Sequence, residues 1–333
     1  MRRRTLLAAL LTSPFMLSWQ RVAAATAFIN IGSGSTSGLY YPTALDMARI
    51  INKGDCDIRA YVRVTGASID NCRLVSRQEL QLGLTQNNIA FYAYNGQGIA
   101  AFKDKPSKDL RGLLMLYPEV IHVLVRKTAN IKHITDLQGK RVYIGDFGSG
   151  TKPDVQNILS VYDMTTDDLR LAVQGNAGDA VNLLVDGQID AMFYTVGIGS
   201  KAITDALETD QIDLLDIPKA AVDTLRSQFP FYTALTLPAG TYPHVDRDLS
   251  AVTLKAMLIA SAQLPATTIN TFMTALFADH IDQFRAIARN PNLRRYFRLN
   301  TALDGMPIPL HDGATAFFRE QNIEIPQADS PTS

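Results

Sequence analysis

Gly32-Ser33-Gly34-Ser35-Thr36-Ser37-Gly38 and Gly148-Ser149-Gly150-Thr151 are the two stretches whose residue types and spacing point to binding chemistry. Each follows an apolar run and precedes a helical pattern. At such a junction the first amides of the helix have no intrahelical acceptor, and the helix dipole adds positive potential at the same point. The chemistry this offers is anion capture. Two such loops, more than a hundred residues apart, suggest an anion held between two lobes.

Other chemistries lack their patterns. No Gly-x-x-x-x-Gly-Lys-Ser/Thr run occurs, which excludes a P-loop. The first loop is Gly-x-Gly-x-x-x-Gly, one residue longer than the dinucleotide fingerprint. No Gly-x-Ser-x-Gly elbow supplies a hydrolase nucleophile. His122, His133, His244, His280 and His311 are scattered, with no two at metal-ligand spacing, so neither a metal nor a cofactor is expected. His122 sits within an apolar run and reads as a core histidine. Asp167-Asp168 reads as a helix start, where acids complement the dipole.

The elements that must position these loops alternate. Phe28 to Ile31 predicts a strand, and Ala44, Met47, Ala48 and Ile51 follow at helical spacing. Ile58, Ala60, Val62 and Val64 alternate with Arg59, Tyr61 and Arg63 as a second strand, after which Ser68 reads as an N-cap. Leu80, Leu82 and Leu84 mark a third strand before a helix from Ile89 to Tyr94. Leu113 to Leu116 and Val120 to Val125 read as two strands buried on both faces. Arg141 to Ile144 leads into the second loop, a helix carries Val155, Ile158, Leu159 and Tyr162 with Pro153 in its first turn, and Ala191 to Thr195 is a further strand. This order predicts an α/β fold of parallel, doubly wound sheets. Ligands bind beyond the carboxyl ends of such strands, and the loops at 32–38, 65–68, 85–88, 148–151 and 194–197 all lie there.

Arg2, Arg3 and Arg4, a broken apolar stretch from Leu6 to Trp19, and Ala23, Ala24, Ala25 and Ala27 form the three-part pattern of a secretory signal peptide. Export to the periplasm is expected, by either the general or the twin-arginine route. Cleavage near Ala25 to Ala27 leaves about 306 residues, enough for two domains. No later segment has eighteen consecutive apolar residues, so the mature chain is not expected in a membrane. Removing Arg2, Arg3, Arg4 and Arg21 from 32 basic residues leaves 28 against 32 acidic ones, a net charge of −4. That argues against a nucleic-acid partner, which needs a concentrated basic footprint. Cys56 and Cys72 flank a strand that carries the chain over roughly 20 Å. One helical turn recovers only about 5 Å, and a disulfide needs Cα atoms within about 7 Å, so two unpaired thiols are expected.

Ile31-Gly32-Ser33-Gly34-Ser35-Thr36-Ser37-Gly38-Leu39-Tyr40-Tyr41-Pro42 resembles the opening motif of the TAXI family, the solute-binding subunits of TRAP transporters. Further matches are Thr65-Gly66-Ala67-Ser68-Ile69-Asp70-Asn71, Leu84-Thr85-Gln86-Asn87-Asn88, Ala90-Phe91-Tyr92-Ala93-Tyr94-Asn95-Gly96 and Leu116-Tyr117-Pro118-Glu119. Asp136-Leu137-Gln138-Gly139-Lys140-Arg141-Val142, Gly148-Ser149-Gly150-Thr151, Pro238-Ala239-Gly240-Thr241-Tyr242 and Ile308-Pro309-Leu310-His311-Asp312-Gly313-Ala314 complete the series. The resemblance covers nearly all of the mature chain, and the motifs are specific in combination.

The resemblance implies a two-lobed periplasmic binding protein of the type II class, each lobe a mostly parallel sheet flanked by helices, with a two-strand hinge. Residues 1–26 would be the signal peptide, 27–119 with 233–333 lobe one, and 120–232 lobe two. The chain would cross near 118–125 and 231–237. A small carboxylate (a dicarboxylate, 2-oxoacid or glutamate-like solute) would be captured by rigid-body closure and delivered to TRAP permease subunits driven by an ion gradient. The protein would be a monomer and not an enzyme.

On this reading the ligand-binding residues are Ser33, Gly34, Ser35 and Thr36 in the first loop, Ser68, Gln86 and Asn88 at the next two strand ends, and Ser149, Gly150 and Thr151 as a backbone nest opposite. Tyr40, Tyr117 and Tyr194 would wall the pocket. Ser35 and Ser37 stand where the family commonly has glycine, and Asn88 where it often has Asp. Losing that negative charge favours a more anionic ligand, a dicarboxylate over a neutral zwitterion. Three alternatives stand beside this reading: an ABC-importer receptor of the same fold, a ligand sensor, and a periplasmic enzyme, which would lack a nucleophile–base pair.

Overall fold

The structure, a computed structural model, describes residues 26–278 and 296–326. The expected leader, apart from Thr26, lies outside the described residues.

The first half builds β1 (Ala27–Gly32), α1 (Tyr40–Lys53), β2 (Ile58–Arg63), α2 (Ser68–Ser76), β3 (Leu82–Gln86) and α3 (Asn87–Asn95). The long β4 (Leu110–Arg126) leads to β5 (Arg141–Tyr143), α4 (Thr151–Ser160), β6 (Leu171–Val173), α5 (Ala177–Val185) and β7 (Ala191–Gly197). Then come α6 (Lys201–Glu208), β8 (Ile212–Leu214), α7 (Lys219–Gln228), β9 (Thr233–Leu237), β10 (Leu249–Ser261), α8 (Ala266–Met273) and α9 (Asp312–Glu320).

The strands form one sheet in the order β2-β1-β3-β10-β4-β7-β5-β6, with β8 on β4 and β9 on β10. β1 pairs in parallel with β2 and β3, and β5 in parallel with β6 and β7. Between these two parallel groups run β10 and β4, antiparallel to each other and to β3 and β7 respectively. The sheet is therefore mixed: the expected parallel pairing holds within each group, and two antiparallel strands join them.

Helix faces explain the layers. On α1, Ala44, Met47, Ala48 and Ile51 are buried at helical spacing. Val155, Ile158 and Leu159 of α4 pack with Phe193 of β7 and Leu225 of α7. Cys72 and Val75 of α2, with Ile89 of α3, pack on Met115 and Met257 of the central strands. Cys56 and Cys72 are both unpaired, as their separation predicts. The Cys72 Sγ lies 3.4 Å from Thr85 Oγ1, and burial pushes its thiol up to about 12.

Two local expectations need correction. The apolar runs around Leu113 and Val120 belong to one 17-residue strand, not two. Pro118 lacks an N–H but does not end the strand. From Lys255↔Pro118 to Met257↔Met115, β10 advances two residues and β4 three, so the ladder absorbs proline at a bulge. Ser68 is not the cap of α2. It is the first helical residue, and Ala67, at φ 74°, stands at the cap. The amides of Ile69 and Asp70 donate instead to the carbonyl of Gly148, at 2.8 and 3.3 Å.

Candidate functional site

The loops after β1, β2 and β5 meet strand β7 and the end of β3 around a cavity of about 40 Å³. That is room for a few water-sized groups. Nine of the expected residues line it: Gly34, Ser35, Tyr40, Ser68, Gln86, Ser149, Gly150, Thr151 and Tyr194. Four do not. Ser33 is fully buried, and its hydroxyl donates to Arg63 O at 2.9 Å, tying the loop to β2. Thr36 is exposed on the turn. Tyr117 is a core residue, with its ring 6.3 Å from that of Phe297 and Thr43 Oγ1 donating to its hydroxyl. The Asn88 amide donates to Asp154 Oδ1 at 3.0 Å.

Donors approach from α4, whose first amides have no intrahelical acceptor and which begins at the cavity wall with Gly150 and Thr151. The α2 end differs, because the Gly148 carbonyl already takes two of its amides. Several hydroxyls are engaged within the wall. Ser149 Oγ donates to Asp146 O at 3.0 Å. Ser35 Oγ lies 2.7 Å from Ser37 Oγ and accepts from Asn176 Nδ2 at 3.0 Å. Tyr40 donates to Glu119 Oε2 at 2.7 Å, which leaves Ser68, 3.4 Å away, to donate to the Tyr40 oxygen.

Acidic groups dominate the remainder. Glu119 and Asp146 line the cavity, and no Lys, Arg or His does. Burial raises Glu119 to about 8 against the lowering effect of the Tyr40 bond, and the charge of Asp154 adds to the rise. Asp154, fully buried, accepts from Gln86 Nε2 at 2.9 Å, Asn88 Nδ2 at 3.0 Å, Thr195 Oγ1 at 2.8 Å and the Tyr232 hydroxyl at 2.7 Å. Those bonds favour the carboxylate, yet burial still lifts it to about 6. Asp146, bonded by the Tyr143 hydroxyl, is raised by burial as well.

Sequence reasoning missed Glu119, Asp146 and Thr195 on the wall and Asp154 behind it. An acid directly after a proline in an apolar run was a usable signal for Glu119. Asp154 carried none, because an acid in a first helical turn is ordinary. Gly150 packs directly against Gln86 from the other side of the cavity. A Cβ there would stand 1.2 Å from Gln86 Oε1.

The profile of the NMT1-like family matches residues 31–321. The chain belongs to the NMT1-like family. Its fold matches that of a protein from Bordetella bronchiseptica RB50 (15% identity, 91% of each chain covered, TM-score 0.51). It also matches a binding protein component of an ABC phosphonate transporter from Pseudomonas aeruginosa (8% identity, 86% of this chain and 80% of that one, TM-score 0.50). The periplasmic aliphatic sulphonate binding protein of Escherichia coli is similar at 14% identity, over 88% of this chain and 83% of that one, with a TM-score of 0.46. The fold is thus the α/β fold of a transporter binding protein. Among the described residues, no helix is long and apolar enough to cross a membrane.

Proposed function

We propose that this chain is a periplasmic solute receptor of a membrane importer, closing two lobes on a small carboxylate. The observation that carries the reading is the cavity itself. It lies among the loops and strand ends of two parallel strand groups that, among the described residues, β4 and β10 join. Two crossing strands are the expected hinge for rigid-body closure. The lobes would be 27–119 with 233–333, and 120–232, with the chain leaving along β4 and returning at β9, which pairs with β10. The ligand's carboxylate would meet the first amides of α4, flanked by Ser35, Ser68, Thr151 and Tyr194.

The structural match to a binding protein component of an ABC transporter supports a receptor rather than an enzyme. That match also favours an ABC-type importer as the partner. The motif series favours a TRAP permease. Uptake of the identified ligand into cells decides between them. Uptake abolished by ATP depletion with the ion gradient intact supports the ABC type, and the reverse supports TRAP. Asn88 gives no ground for a dicarboxylate, because its amide is bonded to Asp154.

A thermal-shift screen of the mature protein tests the receptor reading. A solute at 100 times its Kd adds about 2.7 kcal/mol of stability, a shift of several degrees. Turnover of any bound solute, or no binding across carboxylates, amino acids, sulfonates, phosphonates and sugars, would sink it.

A further inference from the structure

We propose that Asp154 draws the two lobes together before any solute arrives, by taking hydrogen bonds from both of them on one buried carboxylate. This rests on the receptor reading above and its division into lobes, and it names the residue that closes them.

The first ground is the arrangement of donors. Asp154 lies in the first turn of α4 and is fully buried. Its Oδ1 accepts from Asn88 Nδ2 at 3.0 Å and from the Tyr232 hydroxyl at 2.7 Å. Its Oδ2 accepts from Gln86 Nε2 at 2.9 Å and from Thr195 Oγ1 at 2.8 Å. Gln86 and Asn88, at the junction of β3 and α3, fall in lobe one. Thr195 and Tyr232 fall in lobe two, as α4 itself does. Each oxygen therefore takes one bond within its own lobe and one from the other lobe. The bonds inside lobe two fix the carboxylate, and Asn157 Nδ2 donates to the Tyr232 oxygen at 2.9 Å behind it. Gln86 and Asn88 thus meet an acceptor already in place, which lowers the cost of ordering the contact.

The second ground is the character of the contact. A hydrogen bond to an ionised acceptor is stronger than a neutral one, and burial removes the water that competes for it. Burial lifts Asp154 only to about 6, so it is a carboxylate at neutral pH. Two other contacts across the cleft have neutral partners. Gly148 O takes the amides of Ile69 and Asp70, and Ser35 Oγ takes Asn176 Nδ2 at an exposed position. Gly150 abuts Gln86, so the same pull seats the start of α4 against the cavity. Neither Asn88 nor Asp154 lines that cavity, so the contact does not depend on which solute enters. A solute then meets a binding-competent form without supplying the energy of closure.

Exchanging the two groups tests this. Asn88→Asp sets a second carboxylate against Asp154. Asp154→Asn aims an N–H at a donor of lobe one in either orientation, at Asn88 Nδ2 or at Gln86 Nε2. In the double variant the amide on α4 donates to the carboxylate on α3, with its second proton toward the Tyr232 oxygen. Small-angle scattering of the ligand-free mature chain at neutral pH reads the result. Each single variant should be larger by roughly 1 Å on a radius of gyration of about 19 Å, and the double variant should return to the wild-type value. Single variants that melt lower but scatter as the wild type does would make Asp154 a core support within one rigid body, and overturn the proposal. A double variant that stays expanded also overturns it. Circular dichroism establishes folding. If a single variant does not fold, Asn88→Ala decides, since it removes one crossing donor and leaves Asp154 its other three. Expansion of that variant supports the proposal, and a wild-type radius overturns it. No solute enters the measurement, so the receptor reading stands or falls separately, by the solute screen.

Discussion

Glu119 sits against Tyr40 with Asp154 as a neighbouring charge, and it titrates near 8 rather than at the ordinary 4.5. Its folded-state value is raised, so its contribution to stability is complete below about 4.5 and is lost as pH rises through 8. Asp154 acts in the same direction up to about 6. His122 acts in the opposite one. Burial holds it near 4, its Nε2 lies 2.8 Å from the Tyr242 hydroxyl, and stability is lost as pH falls from about 6.5 toward 4. Between about 6.5 and 8, Glu119 is the only one of the three still titrating. The unliganded melting temperature should fall over that interval, and Glu119→Gln should flatten the slope. An unchanged slope in the variant would show that Glu119 does not govern it. The sequence made the hydroxyl and glycine wall readable because those residue types have few other uses at strand ends. It hid the acids, since a lone carboxyl in an apolar run or a first helical turn looks the same whether it is buried or solvated.

At the scale of elements, the β5–α4 loop is tightly constrained at two glycines. Gly148 has φ +81°, and a Cβ there would stand 2.5 Å from Asp70 Cγ. Gly150 leaves no room beside Gln86. Gly139 also has a positive φ, of 69°, but a Cβ there meets nothing within 4 Å. Gly139→Ala should therefore cost only the left-handed backbone penalty, about 1 kcal/mol. Gly148→Ala should cost a further 1–3 kcal/mol or so through forced shifts of the neighbours. Gly150→Ala, at φ −82°, bears no backbone penalty and should cost about 2–4 kcal/mol through those shifts alone. Denaturant melts of the three variants check this, and equal losses would deny the close approach. The alternation of strands and helices was legible, because apolar periodicity reports burial directly. The fusion of two apparent strands into β4 was not, because a proline reads locally as a break and only pairing with β10 supplies a bulge to absorb it. Nor was the cap of α2 legible. Ser68 has the right side chain, but that hydroxyl accepts from the Gln86 amide at 3.2 Å and lies beside Tyr40.

For the whole molecule, two parallel groups joined by two strands predict a hinge, and closure on a ligand should reduce the radius of gyration. Small-angle scattering with and without the bound solute measures this, and identical profiles would argue for a rigid body. Fold class was readable from the order of elements, while the mixed sheet required knowing that β10, late in the chain, inserts between β3 and β4. One contact gives the closure an internal clock. The amides of Ile69 and Asp70 at the start of α2 are sealed by a carbonyl from Gly148, about eighty residues further along the chain. A helix that borrows its first acceptor from another unit is frayed whenever that unit swings away. Hydrogen–deuterium exchange at those two amides would then count openings directly, slowing in proportion to ligand occupancy while the interior of α2 exchanges at an unaltered rate.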